Sequence, residues 1–157
     1  MNYLKRILMT FALLLSVIAV YAGGIKNATE LVAFATALNK GGDLSAFKND
    51  KGEICLEADI DMAKVKKFIP ARTFGGVFNG QGFALKNWKA QSGLFLEILE
   101  GGKVCNLRID ASCVMKAQSK GGECFIGWIA GINNGTVENC EEKTLMLGGI
   151  RGRRKRG

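Results

Sequence analysis

A short phrase of glycine, aliphatic and asparagine residues returns down the second half of this chain. It reads GLFLEILEGGKVCNL at 93–107, GWIAGINNGTVENC at 127–140 and GGIRG at 148–152. Gly127 to Gly148 and Gly131 to Gly152 are each 21 residues apart, a period that belongs to solenoids. Aligned without gaps on their asparagines, the repeats place Asn87, Asn106 and Asn139 in one column, Leu85, Val104 and Val137 two places before it, and Trp88, Leu107 and Cys140 one place after. Gly82, Gly101 and Asn134 stand five places ahead, and such residues tolerate left-handed backbone angles. The expected arrangement is a parallel stack in which Leu85, Val104 and Val137 form one inward file and each asparagine occupies a bend that resets which face is buried. The competing arrangement is a meander of antiparallel hairpins, because Asn79-Gly80 and Asn134-Gly135 are hairpin signals.

The spacing of the column is uneven, 19 from Asn87 to Asn106 and 33 from Asn106 to Asn139. Subtracting one coil leaves an excess of about 12 residues, which fits an excursion over Ser112–Cys124. Loops of this kind on a solenoid often carry binding.

Ahead of the repeats, Lys5 and Arg6 precede an uncharged, mostly apolar run from Ile7 to Ala22. Small residues at Val20 and Ala22 fit a signal peptide spanning 1–22, cut between Ala22 and Gly23. Its 16 residues fall short of the roughly 20 needed to span a bilayer. Residues 23–52 read as an amino-terminal cap with a helix over about 28–40: Asn27 caps, Glu30 reaches back, and Leu31, Phe34, Ala35 and Leu38 share one face. Coils are expected over 53–152. The first, EICLEADIDMA at 53–63, alternates as one half-buried strand. Its row of Glu57, Asp59 and Asp61 is a candidate calcium site, set against the commoner reading of a solvated face balanced by Lys64, Lys66 and Lys67.

FIPARTFGGVFNGQGFALKNW with SGLFLEILEGGKVCNLRID resembles the opening of secreted bacterial proteins of the pectin-lyase-like superfold, and GWIAGINNGTVENC is similar to their GLUG repeat, with Trp128 in place of the second glycine. The resemblance covers about residues 25–152 and is of a Bacteroidales-like kind. It implies an all-β fold, a short right-handed parallel β-helix behind a capping helix, and export to the periplasm, the cell surface or the medium. It implies no activity, because this superfold hosts lyases, hydrolases and inert stalks alike.

The formal charge of +8 suggests an anionic partner until its distribution is considered. Lys5 and Arg6 lie in the leader, and Arg151, Arg153, Arg154, Lys155 and Arg156 lie in the last seven residues. Removing those seven from 22 basic residues leaves 15 against 14 acidic ones, so the body is near neutral and no nucleic-acid partner is expected. The third phrase should continue past Gly152 into another strand. The expectation is therefore a carboxyl-terminally truncated array, with the basic tail at 151–157 a candidate frameshift and the uncompleted coil a candidate surface for self-association.

Five cysteines leave at least one thiol without an intramolecular partner. Cys113 and Cys124 bracket the excursion and are the disulfide candidate, Cys140 reads as a small buried hydrophobe, and Cys105 could face outward. The chain has no histidine, which removes His-based triads and the usual zinc ligands. No cofactor is expected and no catalytic residue stands out. The reading that follows is a non-catalytic, exported, adhesin-like module for glycan or host protein. The alternative is the amino-terminal piece of a carbohydrate-active lyase or hydrolase.

Overall fold

The computed structural model describes residues 23–116 and 127–143. The leader with Ala22, most of the excursion with Cys124, and everything from 144 on, including Gly148, Gly152 and the basic tail, lie outside the described residues.

The first regular element is α1, Ala28–Asn39. The Asn27 side chain accepts the Glu30 amide at 3.0 Å, which satisfies one of the orphan donors of the first turn. The Glu30 carboxylate accepts the Lys26 amide at 2.6 Å, one residue ahead of the position expected for a capping box. Gly41, with φ 64, ends the helix. Leu31, Phe34 and Ala35 are buried, and Leu38 packs against the same core.

Thirteen short strands follow among the described residues: β1 Ile54–Cys55, β2 Ile60–Asp61, β3 Ala71–Phe74, β4 Val77–Asn79, β5 Ala84–Lys86, β6 Lys89–Ala90, β7 Phe95–Ile98, β8 Lys103–Cys105, β9 Arg108–Ile109, β10 Val114–Met115, β11 Ala130–Asn133, β12 Thr136–Glu138 and β13 Glu141–Glu142. They form four sheets, ordered β1-β4-β8-β12 (sheet A), β2-β5-β9-β13 (sheet B), β3-β7-β11 (sheet C) and β10-β6 (sheet D). Every strand pairing in these sheets is parallel. The hairpin meander is thereby excluded over these strands. The chain visits sheets C, A, B and D in turn and repeats that order on the next pass.

Register corrects the expected column. Val104 pairs with Val137 and with Phe78, which pairs with Ile54, so the inward file of sheet A is Ile54, Phe78, Val104 and Val137. Leu85 is not in it; it pairs with Ile60 and Ile109 in sheet B. Asn87, Asn106 and Asn139 do share one conformation, with φ 54, 55 and 50, the left-handed region in which asparagine is the best tolerated ordinary residue. They occupy two different corners, however. Asn106 and Asn139 turn the chain from sheet A into sheet B, whereas Asn87 turns it from sheet B into sheet D. Gly82 and Gly101 also have positive φ, both 79, but Asn134 is not among the positive-φ residues.

The step is likewise longer than 21. Ala71 pairs with Phe95 (95 − 71 = 24) and Val77 with Lys103 (103 − 77 = 26). In the last pass it lengthens to 33 between Val104 and Val137 and to 35 between Phe95 and Ala130. The added residues fall after β10, since Ser112–Met115 still belong to the pass. The expected strand over 53–63 is two strands in two sheets, with a bend at 57–59 that sends Ile54 and Ile60 into the core from different walls.

Phe34 of α1 fills the end of the stack. Its ring meets those of Phe47, Phe74, Phe78 and Phe95 at 5.7, 6.2, 5.8 and 6.4 Å, and Phe74 stacks on Phe95 at 4.7 Å. The helix also closes one edge of sheet C: Asn39 donates to the Pro70 carbonyl at 3.0 Å and accepts the Arg72 amide at 2.8 Å. A backbone edge that would otherwise template a foreign strand is thus occupied.

Truncating Phe34 to Ala removes a ring shared by four others. It should cost about 3–5 kcal/mol in chemical denaturation, while Ile69→Ala, at a side chain 65% exposed, should stay within about 0.5 kcal/mol. Comparable losses from the two variants would show that the helix does not plug the stack.

Candidate functional site

A shallow polar groove of about 660 Å³ runs along the corner between sheets A and B. It crosses successive passes, and amide side chains connect them. Asn49 and Asn79 both donate to the Glu53 carboxylate, at 3.0 and 3.2 Å, and Asn106 donates to the Asn79 side-chain oxygen at 3.1 Å. Asn139 continues the wall on the last described pass, with Gln81 and Arg108 beside it. The left-handed turn at Asn106 and Asn139 is what presents these amides: the bend after each sheet A strand directs the side chain outward while Val104 and Leu107 on either side stay in the core.

The groove is electrostatically settled. Hydrogen bonds from Asn49 and then Asn79 lower the pKa of Glu53 from its ordinary 4.5, so at neutral pH it is an ionised acceptor, not a proton donor. Arg108 faces Glu141 at 3.7 Å. Each amide keeps donors or acceptors beyond those used in the ladder, and Arg108 offers a planar fork. An arrangement of this kind can hold hydroxyl-rich or peptide-like ligands by many weak polar contacts.

The calcium row does not assemble. Glu57 pairs with Lys26 at 3.4 Å. Asp59 pairs with Lys86 at 2.6 Å and accepts the Ala84 amide at 2.9 Å. Asp61 accepts the Ala63 amide at 2.9 Å and the Asn87 side chain at 3.0 Å. The bend at 57–59 turns the three carboxylates to separate partners, and no group of three potential metal ligands occurs among the described residues. Asp59 is held below the usual carboxylate range, first by the hydrogen bond from Lys86, and Asp61, first by the Ala63 amide.

Cys124, the expected partner of Cys113, lies outside the described residues. Cys113 itself is a free, fully buried thiol that donates to the Leu85 carbonyl at 3.2 Å and accepts the Trp88 amide at 3.5 Å. Cys105, expected outside, is 5% exposed, because it lies in sheet A between Asn79 and Glu138. Cys140 is half-buried and packs on the core. Burial raises the pKa of Cys55, Cys105, Cys113 and Cys140, which keeps them protonated and unreactive at neutral pH. Trp88 meets Trp128 at 5.7 Å, and on that pass Gly127 precedes β11 while Gly131 lies within it. None of the helices among the described residues is long and apolar enough to cross a membrane.

The wall of the groove was hidden in the sequence because Asn79 sits in an Asn-Gly pair that signals a hairpin. The usable signal was its distance from Asn106, close to one true step.

Glu53 carries an acid-stability signature. Its depressed pKa contributes stability that is present above the unfolded value near 4.5 and is lost as the pH falls through the lower folded value. Glu53→Gln removes that dependence, so denaturation measured from pH 6 down to about 2 should give a shallower decline for the variant than for the parent. Superimposable pH profiles would show that the Asn49–Glu53–Asn79 ladder does not hold in solution.

No family model matches this chain, and no curated protein or solved structure matches it.

Proposed function

We propose that this chain is an exported, non-catalytic binding module built on a short right-handed parallel β-helix of the GLUG-repeat kind, which takes glycan or a host surface protein in its amide-lined groove. The observation that carries the reading is the ladder from Asn49 through Glu53 and Asn79 to Asn106, which links side chains of successive passes into one polar track. The repeated visit of the chain to four parallel sheets supports the helical winding, and the phrase GWIAGINNGTVENC forms β11 and β12 and leads into β13. Binding is favoured over chemistry by the state of the acids: glycoside cleavage needs a carboxyl kept protonated beside an ionised one, whereas the amides around Glu53 drive it the other way.

Purified full-length protein on a glycan array should retain a defined subset of neutral or weakly acidic glycans. Asn106→Ala and Arg108→Gln should each reduce that retention by about 3- to 10-fold, in line with 0.7–1.4 kcal/mol per lost polar contact. Export should yield a mature chain beginning at Gly23. Unchanged retention by both variants would remove the groove from the reading, and release of reducing ends from any bound polysaccharide would replace binding by catalysis.

The last described pass also supports self-association. Ile132 and Val137 are 39% and 37% exposed, although Val104, the register partner of Val137, is fully buried, and Trp128 Nε1 is buried with no hydrogen-bond partner. Sedimentation velocity should show a concentration-dependent shift toward dimer that Val137→Lys abolishes; a monomer at all concentrations would end this reading.

A further inference from the structure

We propose that the outer face of sheet D is a second binding site, separate from the groove, for an anionic polysaccharide bearing carboxylate or sulfate groups. Sheet D pairs Lys89 with Val114 and Ala90 with Met115. Ala90 and Met115 are 2% and 8% exposed, so alternation turns Lys89 and Gln91 outward on one pass and Val114 and Lys116 outward on the next. Lys66, from the stretch between β2 and β3, forms a third side. Together these residues line a recess of about 350 Å³, in which Val114 is the outward apolar side chain.

Among the described residues the charge of this recess has no ion-pair partner. The ion pairs of the described residues join Lys26 to Glu57, Lys86 to Asp59, Lys103 to Glu138, and Arg108 and Lys143 to Glu141; Lys66, Lys89 and Lys116 enter none of them. On neighbouring sheet B Asp59 pairs with Lys86, whose charge also reaches Asp61 and Asp110. Among the described residues, sheet B thus carries acids and bases side by side, whereas the three ammonium groups that line the recess meet no carboxylate there.

The shape selects among anions. Successive passes stand about 4.8 Å apart, so ammonium groups from Lys66, Lys89 and Lys116 rise stepwise along the stack, as the charges of a repeating polymer do. The apolar side chain of Val114 can meet the C–H face of a sugar ring, while the flexible lysines act as point charges that need no fixed anion geometry. A flat bilayer would engage a protruding surface, not a recess. Ile69 stands exposed in the same stretch as Lys66, so vesicles are part of the test.

The experiment uses the full chain with Arg151, Arg153, Arg154, Lys155 and Arg156 all changed to Gln, which removes the tail as a competing polyanion site. In that background, titration calorimetry compares the intact recess with the Lys66→Gln/Lys89→Gln/Lys116→Gln variant against polygalacturonate, heparin, neutral dextran and phosphatidylglycerol vesicles. The intact recess should bind at least one of the two polyanions and not dextran. The glutamine variant should bind at least about tenfold more weakly, with a log Kd versus log salt slope shallower by about two to three as fewer counterions are released. Lys66→Arg/Lys89→Arg/Lys116→Arg should retain binding, as should the charge control Lys40→Gln/Arg72→Gln. Equal binding by the glutamine variant, equal binding to dextran, binding to vesicles but to neither polysaccharide, or no binding to either polyanion would each overturn the proposal. All three lysines are exposed, so the variants should share the parent's melting temperature, and the arginine variant separates lost charge from lost fold.

Discussion

Parallel register is the constraint on which the rest of this molecule depends. Its strands are two to four residues long, far below what a strand needs to persist by itself, so each exists only because another pass lies against it. The hydrogen bonds that hold a pass run almost entirely to its neighbours in the stack, such as Lys103 to the Gly76 carbonyl and Thr136 to the Gly102 carbonyl, at 2.8 and 2.9 Å. Once that register is set, inward files follow by necessity, since Ile54, Phe78, Val104 and Val137 must stand one above another. Glycines at the corners make the approach possible. A Cβ on Gly135 would stand 2.3 Å from the Gly102 carbonyl oxygen, and one on Gly102 2.6 Å from that of Phe74, contacts that no side chain survives.

The same constraint explains which parts of the fold were legible in the sequence. The asparagine bends were, because a left-handed residue flanked by inward apolar ones leaves a local mark that one repeat suffices to show. The helix was, because Asn27, Glu30 and the stripe from Leu31 to Leu38 are local as well. The period was not. Two different corners impose the same local demand, so Asn87 at one and Asn106 at the other align without gaps although they belong to different sheets. Turn lengths compound the error: Leu99 to Gly102 carries two residues more than the Gly75-Gly76 turn stacked beside it, a difference visible only through register. The run from Glu53 to Ala63 failed for a related reason. Its alternation of apolar and polar residues survives a bend that changes the sheet, so it reads as one strand and folds as two.

The candidate site was less legible than the fold, because its residues are drawn from outward positions, where packing imposes no pattern. Asn49, Glu53, Asn79 and Asn106 span three passes and share no motif; they meet because the stack superimposes them. Glu57, Asp59 and Asp61 make the converse case. They look like a site in the sequence, but the bend between β1 and β2 gives each its own partner, and surface pairs such as Lys86 with Asp59 contribute little beyond solubility.

A stack of this kind separates two kinds of selection. Inward positions are judged against the residues above and below: a polar group placed in the Phe78 and Val104 file would be buried without a partner, at a cost of about 1–3 kcal/mol. Outward positions meet water and cost almost nothing to change. Amides can therefore gather at the corner of sheets A and B, and unpaired lysines on sheet D, without disturbing the core beneath either of them. The two surfaces differ in the physics that a ligand would use. The groove has its amides joined and its Arg108 paired with Glu141, so a ligand there would be selected mainly by the geometry of hydrogen bonds. The lysine recess has charge without partners, so its attraction is long-ranged and is screened as ionic strength rises. One winding of the backbone, repeated at a fixed register, thus presents two walls whose chemistry is set independently, and the burial of the files between them is the condition for both.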